Sequence, residues 1–452
     1  MIPGSGPIEN EALKKITPNS NEKKQLEGVI KTLKQHVKKE INKTNIPITL
    51  KLVGSTAKDT YIKTSVDIDL FLVFPATVPR ETLQEKGLAI GRAILEQQEE
   101  CFAEHPYVRG VFHGYKTELV PCYKIESASQ KLSAVDRTPL HTTYVKTHLK
   151  ESQKKEIRLF KQFLKGIGCY GAEAEIEGFS GYLCELMIIK YGTFQKLIER
   201  IQQWSHGEYI TLKKGIYPQF ETPLTVIDPV DAERNVASAL SEEKFNLLRT
   251  ACDAYAQHPR LTFFFPNPLL PWPLEKIKNK MKTREYVGVK LPKPTIISEN
   301  LYPQIRKAVK SITDLCEQYG FTILTATFSI DDTSIYIILQ PKETTVSKTV
   351  LHEGPPLTLK KNADEFLEKW TSNPRTRKKP FEKNKRLYVE IEREYTSIKD
   401  LLCDEVKHLS LGKHINQATR KGYTIIDHER LLSNPLRMFW TTHLDTRMSW
   451  ER

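Results

Sequence analysis

The stretch Val66-Asp67-Ile68-Asp69-Leu70-Phe71-Leu72 constrains this chain more than any other. In a strand, side chains alternate, so Asp67 and Asp69 project from one face while Val66, Ile68 and Leu70 enter the core. Two carboxylates on one face of an apolar strand are costly unless a cation lies between them. Hard divalent ions suit that place, and a pair of Mg²⁺ ions sharing substrate phosphates is the expectation. The tripeptide alone is a common solvated pattern. Gly54-Ser55, with Gly54 13 positions ahead of Asp67, adds backbone N–H groups and a hydroxyl of the kind that hold a triphosphate. That interval leaves room for one helix and a return to the neighbouring strand. Glu118, in Tyr115-Lys-Thr-Glu-Leu-Val-Pro121, is a third carboxylate on a later strand, placed to bridge the metals and help deprotonate an attacking hydroxyl.

The remaining composition sets bounds. At 452 residues the chain is long enough for two to four domains. Lys plus Arg exceed Asp plus Glu by 68 to 55, and a surplus of that size favours a polyanionic partner. The seven cysteines are scattered and form no CxxC pair, which argues against a disulfide framework or zinc site and suits a reducing cytoplasm. The opening Met1-Ile-Pro-Gly-Ser-Gly6 carries no export pattern, and the most apolar stretches are far short of the ~20 residues of a membrane span, so the expectation is a cytoplasmic protein with no membrane partner.

Periodicity divides the chain. A helix is expected over 20–45, strands over Ile48–Val53, Ser65–Phe74, Tyr107–His113 and Thr117–Ile125, and an amphipathic helix over Arg80–Phe102. Together they suggest a mixed α/β domain ending near residue 140. Residues 144–204 and 241–258 read as helical. The Pro-rich run Phe265–Pro273 then breaks regular structure. Beyond it come a helix (Leu301–Tyr319), a hairpin (Phe321–Ile330 with Ser334–Gln340), a helix (Ala363–Trp370), a strand (Leu387–Ile391) and a helix (Ser397–His408). The fold class is therefore α+β and multidomain, divided as 1–143, 144–265 and 266–452.

Gly54-Ser55 with Asp67-Ile68-Asp69 resembles the polymerase-β-like nucleotidyltransferase superfamily. The flanking stretches resemble the archaeal-type (class I) CCA-adding enzymes more narrowly. They include Glu104-His-Pro-Tyr-Val108, Leu119-Val-Pro-Cys-Tyr123, Ser133–His141, Tyr170-Gly-Ala-Glu173, Gly178–Glu185, Asp228–Ala237, Asn300–Gln304 and His352–Pro356. The likeness spans roughly residues 45–450, and the ordered series is more specific than any one piece. It implies a mixed-sheet catalytic head, a helical nucleobase-binding neck, and an α+β body and tail that bind tRNA. The implied activity is template-independent addition of C, C and A to the tRNA 3′ end from CTP and ATP, with release of pyrophosphate.

By the same resemblance Asp67, Asp69 and Glu118 are the catalytic, metal-binding carboxylates. Ser55 and Lys58 fall on triphosphate contacts, His141, Lys161 and Tyr170 on further nucleotide contacts, and Arg234 on a base-reading arginine. Glu118 stands where the family usually has Asp, and Lys58 where Arg is frequent; a lysine cannot form the bidentate phosphate fork. The mechanism expected is a two-metal in-line attack by the RNA 3′-hydroxyl. Arg375–Arg386 holds seven basic residues and one acid in twelve positions: Arg375, Arg377, Lys378, Lys379, Lys383, Lys385 and Arg386. In an RNA enzyme this run would grip the duplex backbone of the acceptor arm; otherwise it is a charged loop. The resemblance also admits a homodimer. Two other readings remain at this level: a poly(A)-type terminal transferase, and a non-catalytic RNA-binding protein on a transferase scaffold.

Overall fold

The computed structural model describes residues 6–102 and 105–452; Glu104, which opens one family-like stretch, and Met1–Ser5 lie outside the described residues. The chain divides into two compact units, one reaching Pro268 and taking back Arg447–Arg452, the other Leu269–Thr446.

In the first unit, helices α1 (Pro7–Ile16) and α2 (Ser20–Asn42) precede strand β1 (Thr49–Val53), the short α3 (Gly54–Lys58) and β2 (Asp67–Phe74). Asn19 starts α2 with a full capping box to Glu22, which pairs off orphan amide groups in the first turn. Helix α4 (Arg80–Ile94) and strands β3 (Glu96–Phe102), β4 (Pro106–Phe112) and β5 (Tyr115–Tyr123) follow. Among the described residues these strands form one sheet in the order β1-β2-β5-β4-β3. Ile68, Leu70, Leu72 and Phe74 of β2 pack beneath α2 and α4 with Leu26, Leu33, Val37, Leu83 and Ile90, all buried. The opposite face carries Phe71 and Val73, packed with Val53, Val120 and Cys122, and, at the start of β2, Asp67 and Asp69. Alternation along one strand thus separates core from acidic face.

The helix expected over Arg80–Phe102 stops at Ile94. Glu96–Phe102 instead pairs antiparallel with β4 as the sheet's edge. Its side chains are almost all exposed, so no apolar periodicity marks it, and backbone pairing alone makes it a strand.

Helices α5 (Thr138–His148), α6 (Gln153–Gly166), α7 (Gly181–Tyr191), α8 (Phe194–Ile201) and α9 (Glu242–Gln257) surround a core rich in aromatics, where Phe163 contacts Phe194, Tyr255, Phe263 and Phe264. A small sheet not expected in this helical region, β6 (Glu208–Ile210), β7 (Leu224–Asp228) and β8 (Asp231–Asn235), sits between α8 and α9 in sequence; its short strands give too few residues to register as a period. Trp450, from the returning C-terminus, stacks on Phe263 with ring centroids 5.3 Å apart.

The second unit contains α10 (Leu274–Met281), β9 (Val287–Pro292), α11 (Ser298–Gln318), β10 (Ile323–Ile330), β11 (Ser334–Pro341), β12 (Thr349–Pro356), α12 (Lys360–Thr371), β13 (Thr376–Lys383), β14 (Arg386–Glu392), α13 (Ile398–Glu405), α14 (Lys413–Thr419) and β15 (Thr424–Ile426). The expected hairpin is β10–β11, within a sheet ordered β10-β11-β9-β15; a second sheet is ordered β12-β14-β13. Among the described residues no helix is long and apolar enough to cross a membrane.

Candidate active site

The acidic face is assembled by strand register. Asp69 lies opposite Val53 of β1 and, on its other side, opposite Glu118 of β5; Asp67 lies opposite Lys116. The residue after Val53 is Gly54, with φ +68°, and a Cβ there would collide with the Asp69 carboxylate oxygen Oδ2. Only glycine lets the Gly-Ser turn approach the acid this closely. Burial, then the neighbouring Glu118 and Asp67, push the Asp69 carboxyl up to about 7.

Such crowding of hard oxygen donors is the environment a divalent cation relieves. Yet no three His, Cys, Asp or Glu side chains among the described residues are arranged to hold a metal by themselves. Glu118 is engaged by Arg109, its antiparallel register partner on β4, whose Nε donates to Oε1 at 2.8 Å. This is a cross-strand pairing of opposite charges on the acidic face. The donor set still fits Mg²⁺, which commonly takes one or two carboxylates and completes its shell with substrate phosphates and water. A cleft of about 290 Å³, lined by Asp67, Gln97, Glu99, Arg109, Lys116 and Glu118 among others, opens on this face.

Beside the turn lies a buried polar cluster. Lys58 donates to Glu185 Oε2 at 2.5 Å, Thr60 Oγ1 to Glu185 Oε1 at 2.6 Å, and Lys161 reaches Thr60 O at 3.2 Å and Glu185 Oε1 at 3.4 Å. Burial pulls the Lys161 ammonium below its ordinary pKa, and Glu185 opposes that shift. The Tyr170 hydroxyl and Lys161 Nζ both lie next to Gly181. Lys165, one turn beyond Lys161, sits over the Tyr170 ring at 5.3 Å and feels the charge of Asp67. Ser55 stands half-buried in the first turn of α3.

His141 and Arg234 meet around a second acid. Asp228 accepts from His141 Nε2 at 2.9 Å, Arg234 Nη1 at 2.9 Å, the Tyr182 hydroxyl at 3.1 Å and the Val230 amide at 3.0 Å. The His141 and Tyr182 rings stack at 4.1 Å. Burial alone would raise Asp228, but these donors bring it down to about 2. Asp231 takes Arg137 at 2.7 Å and Lys131 at 2.8 Å.

The basic run is not a loop. It forms the edge strand β13 and the turn into β14. Arg377 pairs with Glu392, Arg386 with Glu353 and Arg375 with Glu394, whereas Lys378 lies over the Phe381 ring at 4.6 Å. Lys379, Lys383 and Lys385 carry no acid partner among the described residues.

Sequence reasoning missed Arg109, Lys165, Tyr182, Glu185 and Asp228 as parts of these clusters. The one signal in the sequence was a single carboxylate, Glu185, inside the largely apolar helix α7.

Three family descriptions match in order along the chain: nucleotidyltransferase domain over 30–141, tRNA nucleotidyltransferase second domain over 155–265, and CCA-adding enzyme C-terminal domain over 282–428. A CCA-adding enzyme of Methanosarcina barkeri is 36% identical over 92% of both chains. Those of Methanothermobacter thermautotrophicus and Haloarcula marismortui are 34% and 32% identical, each over 91% of this chain and 92% of theirs. A solved poly(U) polymerase matches with a TM-score of 0.45 and 14% identity over 55% of this chain and 92% of that one, too loosely to carry an argument. With relatives of that similarity covering nearly its whole length, and with the nucleotidyltransferase region spanning the Gly-Ser turn and its facing acids, this chain belongs to the CCA-adding enzymes, the tRNA nucleotidyltransferases that add C, C and A to tRNA.

Proposed function

We propose that this chain performs CCA addition from CTP and ATP through the residues gathered on the β1-β2-β5 face. The observation that carries the assignment is the register that sets Asp69 between Val53, which leads into Gly54-Ser55, and Glu118. Asp67, Asp69 and Glu118 would hold two Mg²⁺ ions, which would activate the RNA 3′-hydroxyl and neutralise the departing pyrophosphate. Ser55, Lys58, Lys161 and Tyr170 orient the triphosphate so that the 3′-oxygen–phosphorus bond forms in line with the phosphoanhydride bond that breaks. Arg234 presents its guanidinium to the base edge, held by Asp228, while His141 is fixed by the same carboxylate and by stacking on Tyr182. The catalytic head is 1–143, the nucleobase-binding neck 144–265, and 266–452 takes the acceptor arm of tRNA, with the β13–β14 hairpin on the phosphate backbone. Seven free cysteines suit work in a reducing cytoplasm.

Supplying CTP and ATP, separately and together, to tRNA lacking its last three nucleotides tests the assignment. Addition should stop after C, C and A. Open-ended tailing would favour a poly(A)-type enzyme, and absence of any Mg²⁺-dependent incorporation a non-catalytic binder. Asp69→Ala should abolish addition while leaving tRNA affinity within about threefold; substantial residual turnover would remove Asp69 from the site.

A further inference from the structure

Two lysines and one glutamate are buried together beside the phosphate-holding turn. Glu185 is 1% exposed and Lys161 2%, and Lys58 is also buried. The carboxylate is shared: one oxygen takes Lys58, the other Thr60 and, more distantly, Lys161. Two ammonium groups thus share one carboxylate in a place poor in water, where a charge without a partner is costly, and Lys58 also acts electrostatically on Asp69.

The same backbone segment is gripped a second time. Arg158 of α6 donates to Tyr61 O at 2.9 Å, Asp59 O at 2.7 Å and Asp59 Oδ1 at 2.5 Å. Lys23 of α2 adds a bond to Asp59 Oδ2 at 2.7 Å. Every residue from Lys58 to Tyr61 is therefore tied to α6 or α7 by side chain or carbonyl. Among the described residues, Glu185 alone reaches both Lys58 of α3 and Lys161 of α6.

We infer that Glu185 is a positioning residue for nucleotide binding: by taking Lys58 on one carboxylate oxygen and Lys161 on the other, it holds both lysines beside the Gly-Ser turn for an incoming triphosphate. The inference rests on the proposed roles of those lysines. Glu185 itself touches no substrate. It sets where the two lysines lie, and its carboxylate opposes the burial that pulls the Lys161 ammonium below its ordinary pKa.

The test compares wild type with Glu185→Gln, Lys58→Met and the double variant K58M/E185Q. Steady-state KM for CTP, ATP and truncated tRNA is measured, together with calorimetric affinity for each nucleotide. Glu185→Gln should raise KM for both nucleotides roughly tenfold and equally, with the tRNA KM within about twofold. K58M/E185Q should bind nucleotide more weakly than Lys58→Met, because Lys161 is then without its carboxylate as well. If Glu185 only supports the fold, Glu185→Gln lowers Tm without changing nucleotide KM, and the two Lys58 variants share one KM; either result overturns the inference. Should Glu185→Gln not fold, Glu185→Asp, which keeps the charge but draws it back by one methylene, is read in the same way: raised nucleotide KM supports the inference and unchanged nucleotide KM overturns it. Calorimetric nucleotide binding is read without turnover, so a wild type that binds CTP and ATP but adds nothing to tRNA would count against the assigned reaction and not against Glu185.

Discussion

At the scale of single residues, the molecule manages buried charge in two opposite ways. Around Asp69 acids are gathered against acids and the carboxyl is pushed up; around Asp228 donors are gathered on one acid and it is held down. The second case has a direct consequence for stability. Asp228 titrates near 2 in the folded chain against 3.8 when unfolded, so the unfolded state binds the proton first as pH falls. The stabilisation is complete above about pH 4 and is lost as pH drops toward 2. Asp228→Asn should cost at least about 1.5–3 kcal/mol at pH 7, the worth of hydrogen bonds to a charged group, and should flatten the acid limb of a Tm-versus-pH curve. An unchanged acid limb would show that the His141–Asp228–Arg234 cluster does not hold the fold. Sequence made Asp67, Asp69 and Gly54 legible because alternation and turn chemistry are local. Arg109 and Asp228 were not legible in their roles: the partners of Arg109 and of Asp228 include residues 9 and 87 positions away.

At the scale of elements, strand pairing decided what periodicity could not. β3 has no apolar stripe and exists because β4 offers it a ladder. The basic run became β13 by the same means, and its pairing sorted its cations. Arg377 and Arg386 pair with glutamates of the same sheet and Arg375 with Glu394 just beyond it, whereas Lys379, Lys383 and Lys385 have no acid partner among the described residues. Replacing those three lysines by Gln should weaken tRNA binding and reduce the slope of log affinity against log salt by about 2–3, close to one for each phosphate that is no longer neutralised. Arg377→Gln should change the slope less, since its charge is already paired. Equal slopes for wild type and the triple variant would detach the hairpin from RNA binding. The charge run itself was plain in the sequence; which of its members were free was not.

At the scale of the whole chain, each unit builds its own core, and the first recovers the C-terminal residues to complete its own. Trp450 is 2% exposed against Phe263, while the intervening Leu269–Thr446 forms the other unit. Trp450→Ala should destabilise the first unit by about 3–5 kcal/mol, seen as a lowered unfolding transition for that unit in calorimetry with the other transition in place. Transitions that do not move would mean the stacked tryptophan is dispensable. By itself the sequence determined the family, written as an ordered series of short motifs, and also the alternation that puts two carboxylates opposite a core, the helices whose apolar stripes are long, and the Pro-rich break, each written in residues close together along the chain. Only the tertiary structure decided that Glu118 is paired with Arg109 while Asp69 is crowded by acids, that Glu185 holds two lysines, that β3 is a strand, and that the last residues return to the first unit. Those outcomes depend on contacts between residues far apart in sequence, whose energies are set by burial and register that no local pattern encodes.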